Sequence, residues 1–142
     1  MICFMMGQVG LNGNNFVKYV SPVNEEHARR IIKGIQSHPD FTNRDTVLGY
    51  ANNFFYNGGS YGYLNSIAGD FVGMKNIRNA ISHTSPESLN AFYGVVRSKL
   101  GSVPAKITIS GFLNSFIPGS SITFFSYYKG IAVNAINQIS NP

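Results

Sequence analysis

The 142-residue sequence predicts an all-α fold, an antiparallel bundle of four to five helices forming one domain over residues 1–142. Three observations lead to it. Apolar residues recur at intervals of three and four through several segments, the spacing that lines one face of a helix. Two segments open on Ser-Pro, Ser21-Pro22 and Ser85-Pro86, a capping residue followed by the one that suits the first helical position. No repeat period and no linker divides the chain, so its apolar faces are expected to close on one another.

Residues 1–20 are expected to be partly flexible, because residues 7–15 are rich in Gly and Asn. The first helix is predicted from Pro22 to Gln36. Ser21 caps it, Glu25 and Glu26 favour the positive end of its dipole, and Pro39 ends the run. The second is predicted from Asn43 to Tyr56, with Thr42 as cap, Asp45 in a capping-box position and Gly58-Gly59 as its stop. A third spans Tyr63 to His83, and a fourth runs from Ser85-Pro86-Glu87 to Leu100-Gly101. Lys106 to Ser110 alternates as a short strand would, but it has no partner strand and reads as an extended connector. The last helix is predicted from Ser121 to Ile139, with Phe125, Tyr128, Ala132, Ala135, Ile136 and Ile139 as its stripe.

Composition narrows the partners. The chain is 44% hydrophobic and 12% charged, about half the usual charged share of ~25%. Such a lightly charged surface fits a protein that self-associates. The net charge is +5, and no acidic residue follows Glu87. A face without carboxylates does not repel phosphate. The single cysteine, Cys3, excludes a disulfide framework and a Cys-based metal site within one chain, and a reducing cytoplasm is the expected location. Met1 to Met6 is apolar but lacks a basic leader, so it makes a poor signal peptide. Ile107 to Val133 is interrupted by Pro118, Gly119 and Lys129 and does not read as a membrane span. A soluble protein with no membrane partner follows.

The residues that carry chemistry lie in Phe71 to His83. Phe71, Met74, Ile77 and Ile81 share one helical face, with Arg78 on its flank. A guanidinium there calls for an anionic partner: a carboxylate such as Asp70, carbonyls, a helix end or a phosphate. Its fork of donors suits phosphate. Asn79 and His83 are four apart and so lie on one side of the helix, and His83 falls at its end, where substrate can enter. A purely structural pair is the competing reading, with His83 capping carbonyls and Arg78 bound to Asp70.

The segment Ile77-Arg78-Asn79-Ala80-Ile81-Ser82-His83-Thr84 resembles the RxxxxH signature of the HEPN superfamily, and most of all its RiboL-PSP-like branch. Arg78, the polar Asn79 after it, the aliphatic Ile81 two before the histidine, and His83 itself all match. The specific match covers about ten residues, and the order of helices extends it loosely over the chain. The resemblance implies a homodimer with the two motifs facing each other, and RNA cleavage without metal or other cofactor. His83 would move the proton, Arg78 would bind the phosphate, and Asn79 would orient the ring or the phosphate. The products would be a 2′,3′-cyclic phosphate and a 5′-hydroxyl. Lys75, one turn before Asn79, adds a phosphate contact on spacing alone. A toxin or defence effector is the implied role, which leaves room for a neutralising antitoxin. Some antitoxin-paired members carry a modified Tyr two residues after the histidine; this chain has Ser85, so that mode of silencing is not implied.

Other features read as structural. His27 lies in a charged stretch and His38 precedes Pro39; no His and carboxylate set has metal-ligand spacing. Gly58 to Gly62 lacks the lysine of a phosphate loop and reads as a turn, and the Tyr and Phe residues fall at core spacing. Two rival functions stand beside the ribonuclease: a non-catalytic HEPN-like module that binds RNA, nucleotides or a partner protein, and a small structural helical protein.

Overall fold

A computed structural model describes residues 1–6, 18–34 and 40–140. The fold is all-α. Its α-helices are α1 (Ile2–Met5), α2 (Glu25–Lys33), α3 (Arg44–Phe54), α4 (Ala68–Ser82), α5 (Pro86–Leu100), α6 (Ile109–Asn114) and α7 (Phe124–Ser140), with a 3₁₀ segment over Tyr56–Asn65. Extended pairing among the described residues consists of the isolated bridges Lys18–Phe55 and Phe116–Thr123. The five helices of nine residues or more are those the sequence predicts, while α1 and α6 are additional.

Helix starts are decided by which side chain reaches a free backbone N–H. For α2 this is Asn24 and not Ser21, since its amide oxygen accepts from the His27 N–H at 2.8 Å. Pro22 therefore precedes the helix. For α3 it is Asn43 and not Thr42: Asn43 accepts from the Asp45 N–H at 2.9 Å, and the Thr42 hydroxyl donates back to Asp40. Asn forms a cap as strong as any residue does. The Asp45 carboxylate turns to Arg44, so no capping box closes. Gly34, at φ 53, ends α2; the predicted stop at Pro39 lies outside the described residues, as does most of the Gly/Asn-rich lead-in.

The third predicted helix starts five residues late, at Ala68. Asn57, Gly58 and Gly59 all have positive φ and kink the chain within the 3₁₀ segment, so that α4 cannot begin before it. Gly58 is also close-packed: a Cβ would lie 2.9 Å from the Asn52 amide oxygen, and that side chain would have to move. The fourth helix matches its prediction. Ser85 Oγ accepts from the Ser88 N–H at 3.2 Å, Pro86 follows, and Gly101 closes it at φ 78.

The segment read as an extended connector instead leads into α6. Thr108 caps that helix by accepting from the Gly111 N–H at 3.0 Å. The alternation of Ile107 and Ile109 with polar neighbours comes from a loop ending at a cap. Its apolar residues then continue at helical spacing into Phe112 and Leu113. The last helix starts at Phe124, where Thr123 Oγ1 accepts from the Ser126 N–H at 3.2 Å. Of the predicted stripe, Tyr128 and Ala135 are buried and Ala132 and Ile139 half-buried, while Phe125 and Ile136 face out and Phe124 is buried in place of Phe125.

The chain packs as two compact units, Met1–Ser66 with Asn134–Pro142, and Ile67–Val133. In the first, Met5, Ala28, Ile32, Ala51, Phe54 and Phe55 form the core. Phe55 stacks on Tyr61, and the Asn134 amide donates to the Tyr63 hydroxyl at 2.7 Å. In the second, three residues join α4 to α5, and Lys99 near the end of α5 meets Asp70 near the start of α4. Those two facts make α4 and α5 an antiparallel pair. Phe112 of α6 is fully buried, stacked at 4.5 Å on Phe124 and edge-on at 5.8 Å to Phe92. Replacing Phe112 with Ala is expected to lower stability by about 3–5 kcal/mol, because a fully buried ring leaves a cavity. Chemical denaturation of the wild type and the variant, followed by near-UV dichroism, measures it.

Candidate functional site

The site builds on the last two turns of α4. This helix buries Gly73, Ile77 and Ala80, a line at i, i+4 and i+7. The sequence places Ile81 and the flank of Arg78 on that face. The structure rotates it: Ile81 is 62% exposed, and Arg78 is exposed as well. Small residues cause the rotation. Gly73 lets the Tyr128 ring approach so closely that a Cβ would lie 3.1 Å from its hydroxyl. The Gly73 side of the helix therefore faces the Tyr128 ring, and Arg78, about 100° beyond Ile77, points outward.

Arg78 Nη1 donates to Asn79 Oδ1 at 3.1 Å. This is an exposed contact between neighbours, and among the described residues no carboxylate pairs with Arg78. His83 is the C-cap of α4. Its backbone N–H donates to Asn79 O at 2.8 Å, and the chain then leaves in extended form (φ −137, ψ 122). The cap is made by the backbone, so the exposed imidazole is not occupied in capping. Arg78 and His83 are five residues apart, about 7.5 Å along the axis, a span that a long Arg side chain can cover. Lys75 is half-buried one turn before Asn79. The structure thus brings Arg78, Asn79 and His83 to one end of one helix.

Asp70, the carboxylate weighed as the partner of Arg78, is engaged elsewhere. Lys99 Nζ donates to its Oδ1 at 2.8 Å, and the Tyr127 hydroxyl lies 3.1 Å from both of its oxygens. Lys99 also sits over the Tyr127 and Tyr128 rings. Burial disfavours the Lys99 ammonium, but the hydrogen bond to Asp70 and attraction to Tyr128 outweigh it and raise its pKa above 10.5. Burial and the hydrogen bond to Asp70 hold the Tyr127 phenol above 10.0, and burial does the same to Tyr128. The Tyr128 hydroxyl is buried without a partner among the described residues. Ser85 serves as the cap of α5. His27 makes a local contact, accepting from the Val23 N–H through Nδ1 at 3.3 Å, and His38 lies outside the described residues.

One feature beside the motif escapes the sequence. A groove of about 650 Å³ lies against the end of α4, with Ala80, Ile81 and Thr84 on one side. Ile109, Ser110, Leu113 and Asn114 of α6 and Phe125 of α7 complete it. Reading residues 106–110 as a connector hid the α6 contribution; Thr108, three residues before Gly111, was the available signal of a helix start. Among the described residues no three His, Cys, Asp or Glu side chains gather as a metal site would require. No described helix is long and apolar enough to cross a membrane. The chain matches no protein-family model, no curated protein and no solved structure.

Two outcomes are expected. Arg78→Ala and His83→Ala should each change stability by no more than about 0.5 kcal/mol, since both side chains are exposed; thermal melts of the two variants check this. Lys99, Tyr127 and Tyr128 all hold their protons more tightly folded than unfolded. The stability they contribute is present below about pH 10 and is lost as pH rises through the folded pKa values. Unfolding midpoints should fall above about pH 10, and Asp70→Asn should flatten that fall. Melts from pH 7 to 11 report both.

Proposed function

We propose that the chain is a metal-independent endoribonuclease of the HEPN type, a toxin or defence effector acting in the cytoplasm on RNA. The observation that carries this reading is the exposed set at the end of α4. Arg78 is held by Asn79 and by no described carboxylate, with His83 one turn beyond Asn79. A buried ion pair would have made the arginine structural; an exposed one is open to a phosphate.

The chemistry requires a base and an acid. The ribose 2′-oxygen attacks its own 3′-phosphorus while one imidazole takes the 2′-hydroxyl proton. The bond from phosphorus to the 5′-oxygen breaks, and that oxygen takes a proton from a second, protonated imidazole. A 2′,3′-cyclic phosphate and a 5′-hydroxyl result. Arg78 stabilises the charge that builds on the phosphoryl oxygens, Asn79 holds the guanidinium, and Lys75 adds attraction for the neighbouring phosphate. One chain offers one histidine in the motif, so a homodimer with facing motifs supplies the pair. Electrostatics supports the RNA partner. The unit Ile67–Val133 carries six Lys and Arg against two carboxylates, and one of those, Asp70, is neutralised by Lys99. A neutralising antitoxin would have the same exposed motif to cover.

Incubation of labelled RNA with excess chelator tests the reading, with His83→Ala and Arg78→Ala prepared in parallel. Wild-type cleavage ending in cyclic phosphate is expected, with a fall of at least about 100-fold in each variant. Equal activity in wild type and His83→Ala would place the chemistry elsewhere. RNA binding without cleavage would favour the non-catalytic module.

A further inference from the structure

The groove at the end of α4 has a mixed chemistry that a self-packing apolar patch does not need. Its walls include two side chains left largely in solvent, Ile81 at 62% and Phe125 at 56% exposure. Leu113, half-buried against the core, adds to its apolar lining. Among the described residues no charged side chain lines it. Its polar residues include Ser110 and Asn114. The Asn114 amide nitrogen donates to Ser110 O at 3.0 Å and to Ser110 Oγ at 3.3 Å. Because a carbonyl oxygen only accepts, this bond settles which end of the Asn114 amide is which. Its Oδ1 remains as an acceptor beside the Ser110 hydroxyl, which can still donate. An apolar lining that includes the Phe125 ring, with an adjacent donor and acceptor, matches a nucleobase, whose ring stacks and whose edge presents both kinds of group.

Charge agrees with that occupant. Arg78 is three residues before Ile81, so the two are neighbours on the surface of α4. No acidic residue follows Glu87 in the sequence, so α6 and α7 add no carboxylate to repel a phosphate. An uncharged slot beside a cation suits a neutral ring attached to an anion. We infer that this groove is a base-binding subsite, holding one unpaired base of the RNA whose phosphate lies at Arg78. The inference rests on the ribonuclease reading for the identity of the polymer. It predicts that the enzyme acts on single strands, since a base must leave its stack to enter.

The test uses the full chain carrying His83→Ala, which leaves bound RNA intact, and two fluorescent probes. One is single-stranded RNA of mixed sequence, and the other has the same backbone without bases. Stacking and edge contacts should make the first probe bind about tenfold tighter than the second. Phe125→Ser should abolish that difference while leaving the baseless probe unaffected, and Asn114→Ala should reduce it. Phe125 is largely exposed, so the variant should fold; a thermal melt within about 0.5 kcal/mol of the parent verifies it. Equal loss on both probes, or none on either, overturns the subsite. If the wild type cleaves RNA in that case, the ribonuclease reading survives alone. Base-dependent binding through Phe125 with no cleavage by the wild type would keep the subsite and remove the nuclease. Failure to bind either probe removes both. Sedimentation decides the remaining case: if Phe125→Ser converts a dimer to monomer and loses both probes together, the groove holds a second copy of the chain, and the subsite is wrong.

Discussion

The seating of Phe112 between Phe92 and Phe124 is the contact on which the rest of the Ile67–Val133 unit depends. A helix of six residues is not stable alone in water, because nucleating a helix costs more than so few hydrogen bonds return. α6 therefore holds its shape through one fully buried ring, one Thr108 cap and the apolar flank of Ile109 and Leu113. With Phe112 fixed, helical geometry sets where Ser110, Leu113 and Asn114 emerge. The groove beside the motif is thus a consequence of the packing of an aromatic ring two residues from each of Ser110 and Asn114.

α4 has to satisfy two demands at once. Its inner line, Gly73, Ile77 and Ala80, is built of small and aliphatic groups, and Gly73 leaves room for the Tyr128 ring. Its outer side presents Arg78 and Asn79 to solvent. The Asp70–Lys99–Tyr127 cluster connects these roles. By committing the one carboxylate of α4 to Lys99 and Tyr127, it joins α4 to α5 and α7 and leaves the guanidinium of Arg78 without that competitor. An ion pair half out of water stabilises little by itself. Its effect here lies in which partner Asp70 takes.

Much of the fold was legible because helices depend on local information. Ser85-Pro86 and Gly101 bound α5 where the capping chemistry says they should, and the long helices follow from apolar periodicity. Caps competed where two candidates stood close together, Ser21 against Asn24 and Thr42 against Asn43; only the backbone path decides which side chain reaches the free N–H. α6 was hidden because a loop leading to a cap alternates as a strand does over five residues. The grouping of Arg78, Asn79 and His83 at one helix end was legible from spacing. Their exposure was not, because it depends on which face of α4 the Tyr128 ring meets.

By itself the sequence determined the helical class, five of the helices, the basic balance beyond Glu87 and the order Arg78, Asn79, His83 along one segment. These rest on periodicity, capping and charge, which act between residues close in the chain. Tertiary structure alone decided that Asp70 pairs with Lys99 rather than Arg78, that Phe125 is outward and Phe124 inward, and that α6 lies beside the end of α4. Those outcomes depend on contacts between residues 29 or more positions apart for Asp70, and on which rings fill a shared core. No local rule ranks such alternatives, because each leaves the helical pattern unchanged and differs only in what the side chains meet.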